Sequence, residues 1–483
     1  MSKNIQEIFL NEDALGLGEL VLKKEIQPIE LVDEAIRRIE ELNPAVNAVI
    51  YKAYDSAREI ANGPLPDGPF KGVPYLLKEL ATMAEGMPTT NSCRYLQNFV
   101  SPLDLEIVTR VKKAGFIILG KSNAPEFGWA ITTEPAMYGP TLNPWKEGIT
   151  AGGSSGGSSV AVATGMVPLA EASDGAGSIR VPASNNGILG LKPSRGTSTF
   201  APVWADYWHG AAQFLCVSRT VRDSAAYLDA IYGTLPGDSF AAPPREPNFF
   251  LNQSKKNPGK LRVGYTINSP DGQALDPEVV QAVQKTAALL EELGHSVEEH
   301  NMNVNAAEAW EVYTRMTAVV TVDNFNVLKQ FIGHDVRADE VSPVMWSMLN
   351  YGKSVSGAQH ANDIESVKMT SRAIASDLAP FDVYLTPTLP QQPRPLGYFD
   401  MNMDDILEYN KIMMADAIYM FPFNVSGQPA MNVPMHWSQD GVPIGVQLVG
   451  RNHDEATLLQ VAAQLEVAAP WRDKRPAMTY AIK

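Results

Sequence analysis

Residues 151–159 read AGGSSGGSS, and residues 174–180 read DGAGSIR. Both knots offer serine hydroxyls on chain built from residues small enough to fold close upon itself. A serine hydroxyl attacks a carbonyl carbon when a neighbouring base takes its proton, so nucleophilic acyl transfer is the chemistry in question. Three simpler readings compete for the first knot. A flexible linker fits its composition, but the packed-looking run VAVATGMVPLA follows at once and the second knot comes soon after. A nucleophile elbow fits G-x-S-x-G twice, at Gly152, Ser154 and Gly156 and at Gly153, Ser155 and Gly157. The elbow needs a buried strand just before its serine, whereas NPWKEGITA is polar and broken by proline. A phosphate-cradling loop is excluded because no G-x-x-x-x-G-K-[ST] occurs.

The elements available to position these residues alternate between helix and strand. Leu31, Val32, Ala35, Ile36, Ile39 and Leu42 recur at helical spacing, and Pro44 is expected to end that helix. VNAVIY (46–51) reads as a strand, and FIILG (116–120) as a strand buried on both faces. LRVGYTI (261–267), a helix opened by Asp276 and Pro277 and ending at Gly294, and HSVEEH make one βαβ unit. VYLTP (383–387) and GVQLVG (445–450) are further strands, and a helix follows Asp454. The class is α/β, a sheet covered by helices. Residues 232–260 are the best linker, here expected to be a surface excursion of one large domain, and residues 305–378 form a helical layer near the site.

Bulk properties narrow the function. The chain has 483 residues, 45% hydrophobic and 19% charged, with a formal net charge of -15. That is ordinary globular composition with ample apolar surface for a core. No basic block stands out, so neither nucleic acid nor an anionic membrane is an expected partner. The N-terminus lacks an uninterrupted apolar stretch of signal-peptide type, and cytoplasm is the expected compartment. Cys93 and Cys216 lie far apart and outside metal-ligand spacing, so both are expected to be buried small hydrophobes. None of the seven histidines falls in a metal or triad spacing.

Taken together, the separated motifs resemble the amidase signature family. The resemblance rests on Gly152–Ser158, on Asp174, Gly177, Ser178, Ile179 and Arg180, on Pro182 and Ala183, and on the run from Gly190 to Pro193. KGVPYLLKE (71–79), GKSNAPEFG (120–128), TLNPW (141–145) and NVSGQPAMNVP…GVPIGVQLVG (424–450) extend it over most of the chain, in the family's order. It implies a central mixed β-sheet covered by helices on both faces, in a single domain spanning residues 1–483 with a helical excursion at 305–378. Within the family, GVPYLLK, TTEP (132–135), FPFNVSGQPA and the GDSF–AP region around 237–242 are most similar to the hydrolases of nylon-type cyclic oligomers.

The resemblance also implies roles. Ser178 is the nucleophile, Ser154 the bridging serine joined to Gly153 by a cis peptide, and Lys78 the base. A neutral lysine can act so if burial lowers its pKa from ~10.4 to roughly 7–8, and Lys78 ends the apolar run Val73, Tyr75, Leu76, Leu77. The N–H groups of Gly175, Ala176, Gly177 and Ser178 form an oxyanion hole, with Asp174, Arg180 and Ser155 supporting it. Two departures from the family pattern stand out: Ala176 replaces a glycine, and Glu79 replaces an aspartate. Met83, Met87, Trp129, Ile131, Trp204, Tyr207, Trp208 and His209 are candidate substrate-pocket residues, uncharged or aromatic.

The expected reaction is hydrolysis of a small neutral amide, an anilide, a carbamate or a nylon-type oligomer, with no metal or organic cofactor, by a monomer or homodimer. Two other functions stay open. One is the glutaminase-type subunit of a tRNA-dependent amidotransferase, and the other is a non-catalytic binding protein of the same fold.

Overall fold

The computed structural model describes residues 5–478. Eleven strands build one sheet: β1 (Val49–Lys52), β2 (Pro74–Lys78), β3 (Ile117–Ser122), β4 (Leu169–Asp174), β5 (Leu189–Lys192), β6 (Gln213–Ser218), β7 (Arg262–Tyr265), β8 (Ser296–Glu299), β9 (Val383–Pro387), β10 (Ala430–Trp437) and β11 (Pro443–Gly450). Their spatial order is β1-β3-β2-β4-β6-β5-β10-β11-β9-β7-β8. The sheet is mixed. β3, β2 and β4 run parallel, as do β9, β7 and β8, while the strands between them pair antiparallel. Strands from both sides of residues 232–260 join this sheet, β5 pairing directly with β10. Helices flank it.

Burial explains the strand composition. Every residue of β2, β3, β5, β6, β9 and β11 is buried, and such strands read as continuous apolar runs. The βαβ unit forms as the sequence suggests. Asp276 accepts the N–H of Glu278 at the start of helix Pro277–Glu292, and β7 and β8 lie parallel on either side of it. Cys93 and Cys216 are both buried and unbridged. Among the described residues no helix is long and apolar enough to cross a membrane.

One expected boundary moves. The first long helix runs Pro28–Val46, straight through Pro44. In the last turn a proline forfeits only its own hydrogen bond, and Asn47 in the left-handed region (φ 51°) makes the actual stop. The Asn43 side chain then accepts the N–H groups of Ala48 and Val49 at 2.7 Å, which carries the chain into β1.

Residues 305–378 supply three helices, Ala306–Ile332, Pro343–Ser354 and Gly357–Asp377. Together with residues 399–425 they form a second apolar cluster containing Trp208, Ile131 and Val181. Tyr313 of the first helix donates its hydroxyl to the Gly175 carbonyl at 2.5 Å, so this layer reaches the second glycine knot.

Candidate active site

The carboxyl ends of the adjacent parallel strands β2 and β4 converge, Lys78 closing one and Asp174 the other. The first glycine knot threads beside them as packed backbone. A Cβ on Gly153 would lie 2.2 Å from the Thr132 carbonyl oxygen, and one on Gly157 2.4 Å from the Asn123 nitrogen. Glycine is present because neighbouring chain occupies the space of a side chain. The Gly153–Ser154 peptide is cis. The knot leads into helix Gly156–Ala163, every residue of which is buried.

Lys78 is fully buried. Its Nζ donates to Ser154 Oγ at 2.7 Å, to Ser173 Oγ at 3.0 Å and to the Ser173 carbonyl at 3.4 Å. Burial brings its pKa down to about 7, against the nearby carboxylates of Glu171 and Asp174, which favour the charged form. Ser178 is 7% exposed, and its Oγ has no hydrogen-bond partner among the described residues. It faces the same cavity as Ser154. Ser155 ties the two knots together, donating its N–H to the Ser178 carbonyl at 3.3 Å.

Asp174 and Arg180 hold the second knot. Arg180 Nε and Nη2 reach the two Asp174 oxygens at 2.9 Å each, and both side chains are fully buried. Burial alone would raise the Asp174 carboxyl. The Arg180 guanidinium reverses this and holds it well below the usual carboxylate range. The remaining Arg180 donors reach Gln447 Oε1, Asn424 Oδ1 and the Met420 carbonyl.

The expected oxyanion hole needs one correction. The Gly177 N–H is donated to Asp174 Oδ1 at 2.7 Å, so it points into the support and away from the cavity. The N–H groups of Gly175, Ala176 and Ser178 carry no hydrogen bond among the described residues. Gly177 is required for its conformation, φ being +118°. Ala176 does not share that demand, since its φ is not positive, so alanine replaces glycine there without strain. Glu79, the other departure, turns away from Lys78. It pairs with buried Lys121 at 3.0 Å and accepts from Thr90.

A narrow cavity opens over Ser154 and Ser178. Tyr207 and Trp208 line it together with Leu80, Phe127, Phe200 and Phe214. Trp208 is pressed against the backbone of the second glycine knot: a Cβ on Gly175 would fall 2.5 Å from its ring. Trp129, Ile131, Trp204 and His209 do not reach this cavity. Trp129 packs at a tilt behind Trp208 at 5.1 Å, Trp204 lies edge-on to Tyr207 at 5.7 Å, Ile131 is in the second apolar cluster, and His209 packs on His360. Met83 is core, and Met87 packs against it. Among the described residues no group of three or more His, Cys, Asp or Glu side chains could hold a metal ion.

Two residues in contact with Lys78 escaped the sequence reading, Glu171 and Ser173. Both lie on β4, on the same face at i and i+2. Polar side chains alternating in a buried strand are the signal that would have found them.

A family model described as Amidase matches residues 30–459. The 6-aminohexanoate-cyclic-dimer hydrolase of Paenarthrobacter ureafaciens is 37% identical, with 98% of each chain covered. The Acylamidase of Rhodococcus erythropolis is 31% identical over 96% of this chain and 97% of its own. Among solved structures, 6-aminohexanoate cyclic dimer hydrolase complexed with substrate superposes with a TM-score of 0.92 at 37% identity, covering 99% of this chain and 100% of that one. A bacterial aryl acylamidase of the amidase signature enzymes superposes at 0.85 with 27% identity, covering 96% and 98%.

Proposed function

This chain belongs to the amidase signature family, and on that premise we propose that it hydrolyses small uncharged amides through an acyl-enzyme on Ser178. It is an amidase, a hydrolase of amide C–N bonds. One observation carries the finer reading: a fully buried lysine at 2.7 Å from Ser154, with Ser178 on the same cavity. Lys78 is the only one of the three that can serve as the terminal base, and a pKa of about 7 leaves much of it neutral at neutral pH.

Neutral Lys78 accepts the Ser154 proton while Ser154 accepts that of Ser178. Ser178 Oγ then attacks the amide carbonyl. The oxyanion receives the N–H groups of Gly175, Ala176 and Ser178. The proton returns through Ser154 to the leaving amine, and water, deprotonated along the same path, releases the acid. The aromatic lining favours an uncharged, apolar acyl group, which gains burial and finds no charged partner among Phe127, Phe200, Tyr207, Trp208 and Phe214. Anilides and aryl carbamates present the same planar carbonyl. The cyclic dimer of 6-aminohexanoate, named for the 37% identical relative, belongs to the same uncharged class.

The test is a hydrolysis panel of nitroacetanilide, an aryl carbamate, 6-aminohexanoate cyclic dimer, glutamine and malonamate. Turnover of the uncharged amides is expected. Strong preference for glutamine or malonamate overturns the reading.

A further inference from the structure

At the end of β4 opposite Asp174, four arginines gather where the N-terminal and C-terminal segments meet β4 and β6. A narrow cavity there is lined by Arg219, Arg472 and Arg475 together with Gly165, Thr220 and Asp13, and Arg38 stands behind Gly165. Arg219 is only 8% exposed, yet no hydrogen bond or ion pair holds its guanidinium among the described residues. Arg475 keeps Nη1 buried and without a partner. Arg219 is buried, Arg475 half-buried with its Nη2 on the Leu10 carbonyl at 2.5 Å, and two incompletely satisfied guanidinium groups of one sign face one space.

The local carboxylates are committed elsewhere. Asp13 binds Arg222 through both oxygens at 2.5 Å, and Asp223 accepts the N–H groups of Ala14 and Leu15 at 2.9 Å. Glu12 is exposed at the rim. Asp473 is the acid that favours the charge of Arg219, and it too is exposed. Burial, with repulsion from Arg475 and Arg472, lowers Arg219 to about 9, and burial lowers Arg475 to about 10. At neutral pH both remain charged, and a charge drawn largely out of water without a full set of partners is unfavourable.

We propose that this cavity is a binding site for a small inorganic anion, held by the guanidinium groups of Arg219, Arg475 and Arg472. Guanidinium forks offer several N–H donors to one anion. Bound there, the anion fastens the segment around Phe9–Asp13 and the C-terminal Arg472–Arg475 stretch onto the loop before β4 and the turn after β6. The occupant is halide or tetrahedral oxyanion, and the experiment separates them.

Thermal unfolding of the full chain is measured in sodium gluconate, with chloride, sulfate or phosphate replacing gluconate at constant ionic strength. At least one small anion is expected to raise Tm saturably, by about 2–4 °C. Arg219→Met removes the unpaired charge, so its Tm in gluconate is expected to equal or exceed that of the parent and to be indifferent to the anion. Arg475→Gln is expected to weaken the saturable response, which keeps the test open should Arg219→Met fail to fold. A bromide-soaked crystal is expected to show an anomalous peak between Arg219 and Arg475 if halide is the occupant, and sulfate density if the oxyanion is. The proposal is overturned if every anion acts only through ionic strength, or if Arg219→Met and Arg475→Gln keep the parent's saturable response.

Discussion

The Glu171 carboxylate accepts the backbone N–H of Lys78 at 3.0 Å, so the buried acid of β4 is fastened to the very residue whose ammonium it stabilises. Its other oxygen accepts from Thr82 Oγ1 at 2.7 Å. Burial lifts the Glu171 carboxyl to about 7 while Lys78 is brought down to about 7. If neutral Lys78 is the base, kcat/KM rises with pH through a value near 7. Glu171 favours the charged lysine, so removing its charge stabilises the neutral form. Glu171→Gln is expected to move the acid limb of the kcat/KM profile to lower pH. An unmoved or upward-moved limb contradicts the assigned coupling.

Ser178→Ala is expected to lower kcat by about a thousandfold or more, because no acyl-enzyme forms. Lys78→Ala is expected to be comparably severe, and Ser154→Ala severe but less complete where water bridges Lys78 and Ser178. A fluorophosphonate probe followed by mass spectrometry checks the nucleophile: the adduct is expected on Ser178 and absent from Ser178→Ala. Near-parental turnover by folded Ser178→Ala ends the mechanism.

Gly177→Ala places a side chain at φ +118°, with its Cβ 2.7 Å from Met420 Sδ. The backbone demand alone costs about 1–3 kcal/mol. Both stability in urea and kcat are expected to fall, whereas Ala176→Gly is expected to leave kcat within a fewfold of the parent. Equal tolerance at both positions is inconsistent with the orientation described for this knot.

Arg180→Met leaves Asp174 buried without its cation, and losing one partner of a buried pair costs about 3–5 kcal/mol. Urea unfolding is expected to shift to lower denaturant, with activity lost in the surviving folded protein because Asp174 no longer fixes the Gly177 and Ile179 N–H groups. Unchanged unfolding would show that the pair contributes nothing.

Trp208→Ala removes the ring that covers Gly175 and enlarges the cavity. Relative kcat/KM is expected to shift toward bulkier acyl groups by about tenfold, within the range one hydrophobic pocket can discriminate. Steady-state kinetics on a series of acyl anilides of increasing size reads this directly. A constant ratio across the series removes Trp208 from the pocket wall.

Local chemistry was legible in the sequence. The strands at 383–387 and 445–450, the Asp276–Pro277 helix start and the density of small residues at 151–159 follow from periodicity, capping and steric size, which act between near neighbours. The resemblance of separated motifs pointed to Lys78, Ser154 and Ser178. The sequence alone determined that this is an α/β chain of amidase type whose candidate functional groups lie in two glycine knots and at the end of an apolar strand. The tertiary structure decided what those groups can do. It spent the Gly177 N–H on Asp174 and left those of Gly175, Ala176 and Ser178 free. It placed Glu171 and Ser173 against Lys78, and it drew Phe127, Phe200 and Phe214 into the cavity wall while leaving Trp129 and Trp204 behind it. The reason is physical. Propensity and steric size belong to a residue and its immediate neighbours, whereas a lysine's pKa, a free N–H and a cavity wall depend on burial and on partners brought together through space. Arg180 meets Asn424 and Gln447 only because the folded sheet puts them there.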